Sequence, residues 1–127
     1  MCAKTSKPAK APTQAQVEGL WGEEQALAYL EAKGYALKEQ RYKLLRAEID
    51  LIVQGQGTLV FVEVKLRRNN GMGYPENFVT LAQSKRVKEA AIYYMEQLDY
   101  LGPVRYDIVA ITGYPVIEQL VHLEDAF

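Results

Sequence analysis

Residues 58–66, Thr-Leu-Val-Phe-Val-Glu-Val-Lys-Leu, open with an unbroken apolar run, Leu59, Val60, Phe61 and Val62. Successive side chains of a strand point to opposite faces, so a run without alternation must be covered on both sides. That requirement puts the segment at the centre of a sheet with other elements packed above and below it. A second apolar run, 47–53, precedes it across Gln54-Gly55-Gln56-Gly57, and the two read as a hairpin.

The rest of the chain supplies the covers. Over 18–33, Leu20, Leu27 and Leu30 recur at helical spacing beside Ala26, and Gly34 stands where a C-terminal cap belongs. Thr80 and Gln83 have capping-box spacing ahead of a stripe formed by Val87, Ala91, Tyr94, Met95 and Leu98, which Gly102-Pro103 ends. Residues 35–45, 104–112 and 116–123 read as further strands, the last two around Gly113-Tyr114-Pro115. The order helix, three strands, helix, two strands describes an α/β sheet flanked by helices.

A chain of 127 residues, 49% hydrophobic, buries a core without disulfides or a structural metal. One cysteine, Cys2, and one histidine, His122, exclude a disulfide framework and a zinc knuckle. The absence of an apolar stretch near the ~18 residues of a membrane helix, and of a signal-peptide core, gives the expectation of a cytoplasmic protein with no membrane partner. Residues 1–17 carry Lys4, Lys7 and Lys10 and no acid, and are expected to be a flexible basic tail before a single domain at 18–127. Residues 67–77, with Arg, Asn, two Gly and Pro, are expected to form a mobile loop that can close over a substrate.

The net charge of -1 does not point to nucleic acid on bulk electrostatics, but the placement of the charges is more informative than their sum. Asp50 interrupts Ile49 to Val53, while Glu63 and Lys65 interrupt Phe61 to Leu66, and such groups are rarely buried without partners. Alternation puts Glu48, Asp50 and Ile52 on one face of their strand and Phe61, Glu63 and Lys65 on one face of theirs. If the connection is a two- or four-residue loop, Val53 stands opposite Thr58 and Asp50 opposite Phe61, and Asp50 and Glu63 become diagonal neighbours about 7–8 Å apart at the backbone; a three-residue loop would send Asp50 to the opposite face. Glu23 falls on the apolar stripe of the first helix, whereas Glu24 is turned ~100° toward solvent.

Asp50, Glu63 and Glu23 thus form a candidate ligand set for Mg²⁺ or Mn²⁺ in phosphodiester hydrolysis. Lys65 would orient the attacking water or stabilise transition-state charge. The same charges also fit a buried ion pair without chemistry. Arg46, Arg67, Arg68, Lys85, Arg86 and Lys88, together with Arg41 and Lys43, flank the site as candidate phosphate contacts or as ordinary solvated surface. Asp107 reads as a satisfied structural carboxylate, and His122 is not expected to act as a general base.

Taken in order and spacing, Gly19-Leu20-Trp21-Gly22-Glu23-Glu24-Gln25-Ala26, Tyr29-Leu30, Gly34-Tyr35, Glu48-Ile49-Asp50-Leu51-Ile52, and Phe61-Val62-Glu63-Val64-Lys65 with Arg67 resemble the YraN-type family of small bacterial proteins. That family is related to the Holliday-junction resolvases of the PD-(D/E)xK nuclease superfamily, and the resemblance spans roughly residues 18–112. It implies a restriction-endonuclease-like core, a mixed central β-sheet flanked by α-helices. It also implies metal-binding acids at Asp50 and Glu63, the resolvases' first-helix glutamate at Glu23 and the superfamily lysine at Lys65. Lys85 matches a basic position of the second helix, and Arg105-Tyr106-Asp107 a late-strand segment. Ala47 stands where the family usually has glycine. The implied activity is that of a Mg²⁺-dependent (or Mn²⁺-dependent) endonuclease acting on branched or single-stranded DNA, with a homodimer following by analogy. The alternative is a nucleic-acid-binding module that keeps the fold without turnover.

Overall fold

The computed structural model describes residues 10–68 and 79–127. Its elements are α1 (Gln14–Ala32), β1 (Ala36–Leu44), β2 (Ala47–Gly55), β3 (Thr58–Arg67), α2 (Leu81–Gln97), β4 (Val104–Thr112) and β5 (Gln119–Leu123). One five-stranded sheet runs β1-β2-β3-β4-β5. Only the β3–β4 pair is parallel, and α2 lies in the connection between those two strands, as a parallel crossover requires. The expected mixed sheet flanked by helices is therefore present.

The apolar run of β3 explains the layering. Val60 and Val62 pack toward α1 with Ala26, Leu30, Leu51, Val53, Val109 and Ile111. Leu59 and Phe61 pack toward α2 with Val87, Ala90, Ala91 and Tyr94. Phe61 is fully buried, stacks on Tyr106 at 5.6 Å and meets Tyr94 edge-on at 6.2 Å. Truncating such a side chain costs about 3–5 kcal/mol, because transfer energy and a cavity are lost together.

The starts of α1 and of the last strand differ from the sequence expectation, each for a local reason. Helix α1 starts at Gln14, not at residue 18, because Thr13 and Gln16 form a capping box: Thr13 Oγ1 accepts from Gln16 N at 3.1 Å, and Gln16 Oε1 from Thr13 N at 2.9 Å. Residues 14–17 are thus helical, while residues 1–9 of the expected tail lie outside the described residues. The buried face of α1 is Gly22, Ala26 and Leu30, whereas Leu20 stays 38% exposed. Strand β5 begins only at Gln119, since the turn after Gly113 occupies the residues before it. The expected loop at 67–77 lies outside the described residues from 69 onward.

The hairpin register also differs. Gln56 and Gly57, both at positive φ, make a two-residue turn that sets Gly55 opposite Thr58. The pairing runs from there to Leu51 opposite Val62 and stops. Compared with the expected register this is a slip of two residues, so facing is preserved and Asp50 comes level with Glu63, not with Phe61. Beyond that point, among the described residues, β2 remains bonded only to β1, as far as Leu44 opposite Ala47, and β3 only to β4, as far as Arg67 opposite Thr112. The sheet forks between its second and third strands.

Candidate functional site at the fork of the sheet

The fork leaves backbone groups without a ladder partner, and Asp50 answers one of them. Its Oδ2 accepts from Val64 N at 2.8 Å, in place of a strand-to-strand bond. Strand β2 also loses its alternation here: Ala47 and Ile49 pack toward α2, Leu51 toward α1, and Ile52 toward α2 again. This corrects the expectation that Glu48, Asp50 and Ile52 share one face. Arg41, level with Asp50 on β1, is at φ 51°, and that left-handed residue accompanies the change of phase.

Asp50 therefore sits between the two sides of the sheet. It lines a cleft on the α2 side with Arg46, Glu48, Glu63, Gln83 and Arg86. It also lines one on the α1 side with Glu18, Gly19, Glu23, Glu63 and Leu66. Burial pushes the Asp50 carboxyl up to about 7, and the nearby Glu63 charge adds to this. The Val64 N–H opposes the rise, while Glu23 and Glu48 reinforce it.

Glu63 is 7% exposed, with its Oε2 3.0 Å from Lys65 Nζ. Gln83 Nε2 donates to the same oxygen at 3.1 Å. The sequence marks Thr80 and Gln83 as a capping box, and only the Thr80 half forms: Thr80 Oγ1 accepts from Gln83 N at 3.1 Å, while the Gln83 side chain is diverted to Glu63. Gln83 is a site residue that spacing alone assigns to the helix end. Glu23 faces the α1-side cleft and Glu24 is exposed, as the stripe argument expects, but Glu23 Oε1 lies 2.8 Å from Arg41 Nε. Among the described residues, no three Asp, Glu, His or Cys side chains converge as a metal-ligand group, and the Glu23 carboxylate is paired with Arg41.

The family described as Uncharacterised protein family UPF0102 matches residues 22–111. The chain belongs to this family. UPF0102 proteins of Cytophaga hutchinsonii and Syntrophomonas wolfei are 40% and 37% identical to it, over 85% and 86% of this chain and 93% and 96% of their own. One from Cupriavidus metallidurans is 40% identical over 82% of this chain and 78% of its own. The UPF0102 span contains Glu23, Asp50, Glu63, Lys65 and Gln83, and begins after Glu18.

The basic residues within the UPF0102 span divide by environment. Arg46 and Arg86 line the α2-side cleft, and Lys85 is exposed on α2 beside it. Arg68 is ion-paired with Glu18 and lies over the Tyr114 ring at 5.7 Å. Arg67 Nε donates to Thr112 Oγ1 at 3.3 Å. Lys88 Nζ is 5.3 Å from the centre of the Tyr106 ring and lines neither cleft of the fork, so the structure does not bring it to Asp50 and Glu63. Arg41 and Lys43 are matched to Glu23 and, at 4.0 Å, to Glu48.

Asp107 and His122 belong to a different, closed network. Arg105 donates to both Asp107 oxygens at 2.9 Å, His122 Nε2 lies 2.7 Å from Oδ2, and Asp125 N donates to Oδ1 at 3.0 Å. Lys33 Nζ is 3.1 Å from His122 Nδ1. An ammonium only donates, so Nδ1 accepts and Nε2 carries the proton given to Asp107. The reading of Asp107 as a satisfied structural carboxylate agrees with this geometry.

Proposed function

We propose that the protein is a cytoplasmic, metal-dependent nuclease hydrolysing phosphodiester bonds in DNA, a resolvase-like relative of the PD-(D/E)xK enzymes. The observation that carries the reading is the fork itself: two carboxylates brought level in the middle of the sheet, open to a cleft on each side, with a lysine on one and a single N–H on the other. Hard oxygen donors suit Mg²⁺ or Mn²⁺, which one or two carboxylates hold while waters and substrate phosphate fill the remaining positions. The burial and crowding that raise the Asp50 carboxyl are what a cation at that place offsets.

In this reading Asp50 and Glu63 would hold the ion, whose chemistry there would be to polarise the phosphate and strengthen water as a nucleophile. Gln83 and Lys65 fix the Glu63 carboxylate, and Lys65 presents its ammonium to phosphate oxygens as they gain charge. Arg46 and Arg86 grip the strand at the α2-side cleft. Glu23 would add a third carboxylate from the α1-side cleft, with Arg41 held on its Oε1. Symmetric cutting of a branched substrate takes two copies related by a twofold axis.

Incubating the purified protein with linear duplex, single-stranded and four-way-junction DNA under Mg²⁺ or Mn²⁺ tests this. Cleavage is expected to fall at least about a hundredfold in Asp50→Ala and in Lys65→Ala. Cleavage that survives either substitution overturns the reading. Metal-independent, salt-sensitive DNA binding without any cutting would replace it by the non-catalytic binding module.

A further inference from the structure

The turn between β1 and β2 is built against ordinary turn chemistry. Leu44 pairs with Ala47, so Leu45 and Arg46 form a two-residue tip. Leu45 is at φ 55°, a left-handed backbone that glycine or asparagine adopts with least strain, and its side chain is 97% exposed. A large apolar residue is thus held in a strained conformation without burying anything. Strain of this kind points to a role met on binding.

The tip stands at one side of a third cleft, next to the fork. Its apolar part is Leu44, Ala47 and Ala90, with Leu45 beside them, and Arg46 and Arg86 complete it. Ala47, Arg46 and Arg86 also line the cleft of Asp50 and Glu63, so the two are continuous. Among the described residues, neither arginine has an ion-pair partner, unlike Arg41, Arg68 and Arg105. Glu89 adds one acceptor at the far edge.

Resting on the nucleic-acid reading above, we infer that this cleft takes one unpaired nucleotide of the bound strand, its base against Leu45 and the apolar floor and its flanking phosphates on Arg46 and Arg86. Two unpaired guanidinium groups beside an apolar floor match the two ends of a nucleotide, and Glu89 can accept from an exocyclic amino group. A base inside a duplex has both faces stacked and cannot offer one to Leu45. The inference therefore selects strands with an unpaired base next to the scissile phosphate over continuous duplex. Exposed apolar wedges are a recurrent means of separating or capping stacked bases.

The test is equilibrium binding by fluorescence anisotropy of the full chain in chelator, so that cutting plays no part. The probes are a labelled oligothymidylate, a duplex of the same length and an abasic strand of the same length. Leu45→Gly is expected to weaken oligothymidylate binding about five- to tenfold, in the range of one lost stacking contact. It should change duplex and abasic binding by less than about twofold. Arg46→Gln and Arg86→Gln should weaken all three probes and lower the salt slope by about one each. Glycine relieves the backbone at this position, so thermal unfolding at or above that of the parent shows the variant folded, and Leu45→Asn gives a second variant that tolerates the same φ.

The inference is overturned if Leu45→Gly and Leu45→Asn bind oligothymidylate as tightly as the parent, if they weaken duplex binding equally, or if the parent binds none of the probes. A parent that binds unpaired strands through Leu45 yet never cuts DNA refutes the nuclease reading alone. A parent that cuts DNA while both variants keep full single-strand affinity refutes this subsite alone.

Discussion

Asp50 and Asp107 are two aspartates that each interrupt an apolar strand, and they end in opposite states. Asp107 is fully buried with both oxygens engaged by Arg105, His122 and the Asp125 N–H. Burial alone raises its carboxyl, but the bonds from His122, Arg105 and Asp125 outweigh it and hold the group below the ordinary carboxylate range. Asp50 has one backbone N–H and two or more carboxylate neighbours, and its carboxyl is pushed up to about 7. The protein completes the first site from its own groups and leaves the second short of positive charge. The two aspartates thus differ in how completely the fold compensates their charge.

The largest effect expected from this contrast is on folding. Asp107→Ala removes the acceptor that Arg105, His122 and the Asp125 N–H share, and should lower the free energy of unfolding by about 3–5 kcal/mol in urea titrations. A loss below about 1 kcal/mol would break the comparison, because the network would then not be holding β5 and the C-terminal residues.

Asp50→Asn should act with the opposite sign, leaving stability at pH 8 unchanged or raising it by about 1–2 kcal/mol, since an uncompensated buried charge is removed. The pH profile sharpens this. Above about pH 7, Asp50 is charged folded and unfolded, and its unfavourable contribution is fully present. As pH falls from about 7 toward the ordinary carboxylate range, the folded protein binds a proton that the unfolded chain does not, and stability rises. Asp50→Asn should abolish that slope in unfolding curves taken between pH 4 and 8. Asp107 works the other way: its contribution is present above the ordinary carboxylate range and disappears as pH falls through its lowered folded value.

A smaller effect concerns the missing charge directly. Mg²⁺ at about ten times its dissociation constant should add about 1.4 kcal/mol to stability in thermal-shift measurements, and nothing in Asp50→Asn. Equal stabilisation of both proteins would place the ion elsewhere. Smallest of all, Arg41→Gln removes a partly exposed ion pair and should cost no more than about 0.5 kcal/mol. By freeing Glu23 it should also tighten Mg²⁺ binding about two- to threefold in calorimetry, since affinity follows the number of charged ligands.

Much of this site was legible in the chain. Glu63 and Lys65 declare themselves by standing in an apolar strand, and Glu23 is separated from Glu24 by helical geometry alone. Lys88, equally basic and equally close in sequence to Arg86, turned out to lie over Tyr106, because two residues along a helix point to different sides. Gln83 was hidden by its place at a helix start, where the same side chain has a local use. The register of the hairpin is not fixed by the chain, because the glycine-rich connection permits a two- or a four-residue turn, and the two-residue turn at Gln56 and Gly57 brings Asp50 level with Glu63.

By itself, the sequence determined the layers and which charges need compensation. A strand apolar on both faces must be central, and acids that interrupt it must be compensated, because both rules depend only on the geometry of one element and the cost of burying charge. The tertiary structure decided which acids meet and how completely each is paired. Those depend on where two ladders part, on an arginine of β1 that claims Glu23 and on a glutamine of α2 that claims Glu63, contacts between residues far apart along the chain. Local patterns carry the direction of a side chain but not the identity of the partner that comes to meet it.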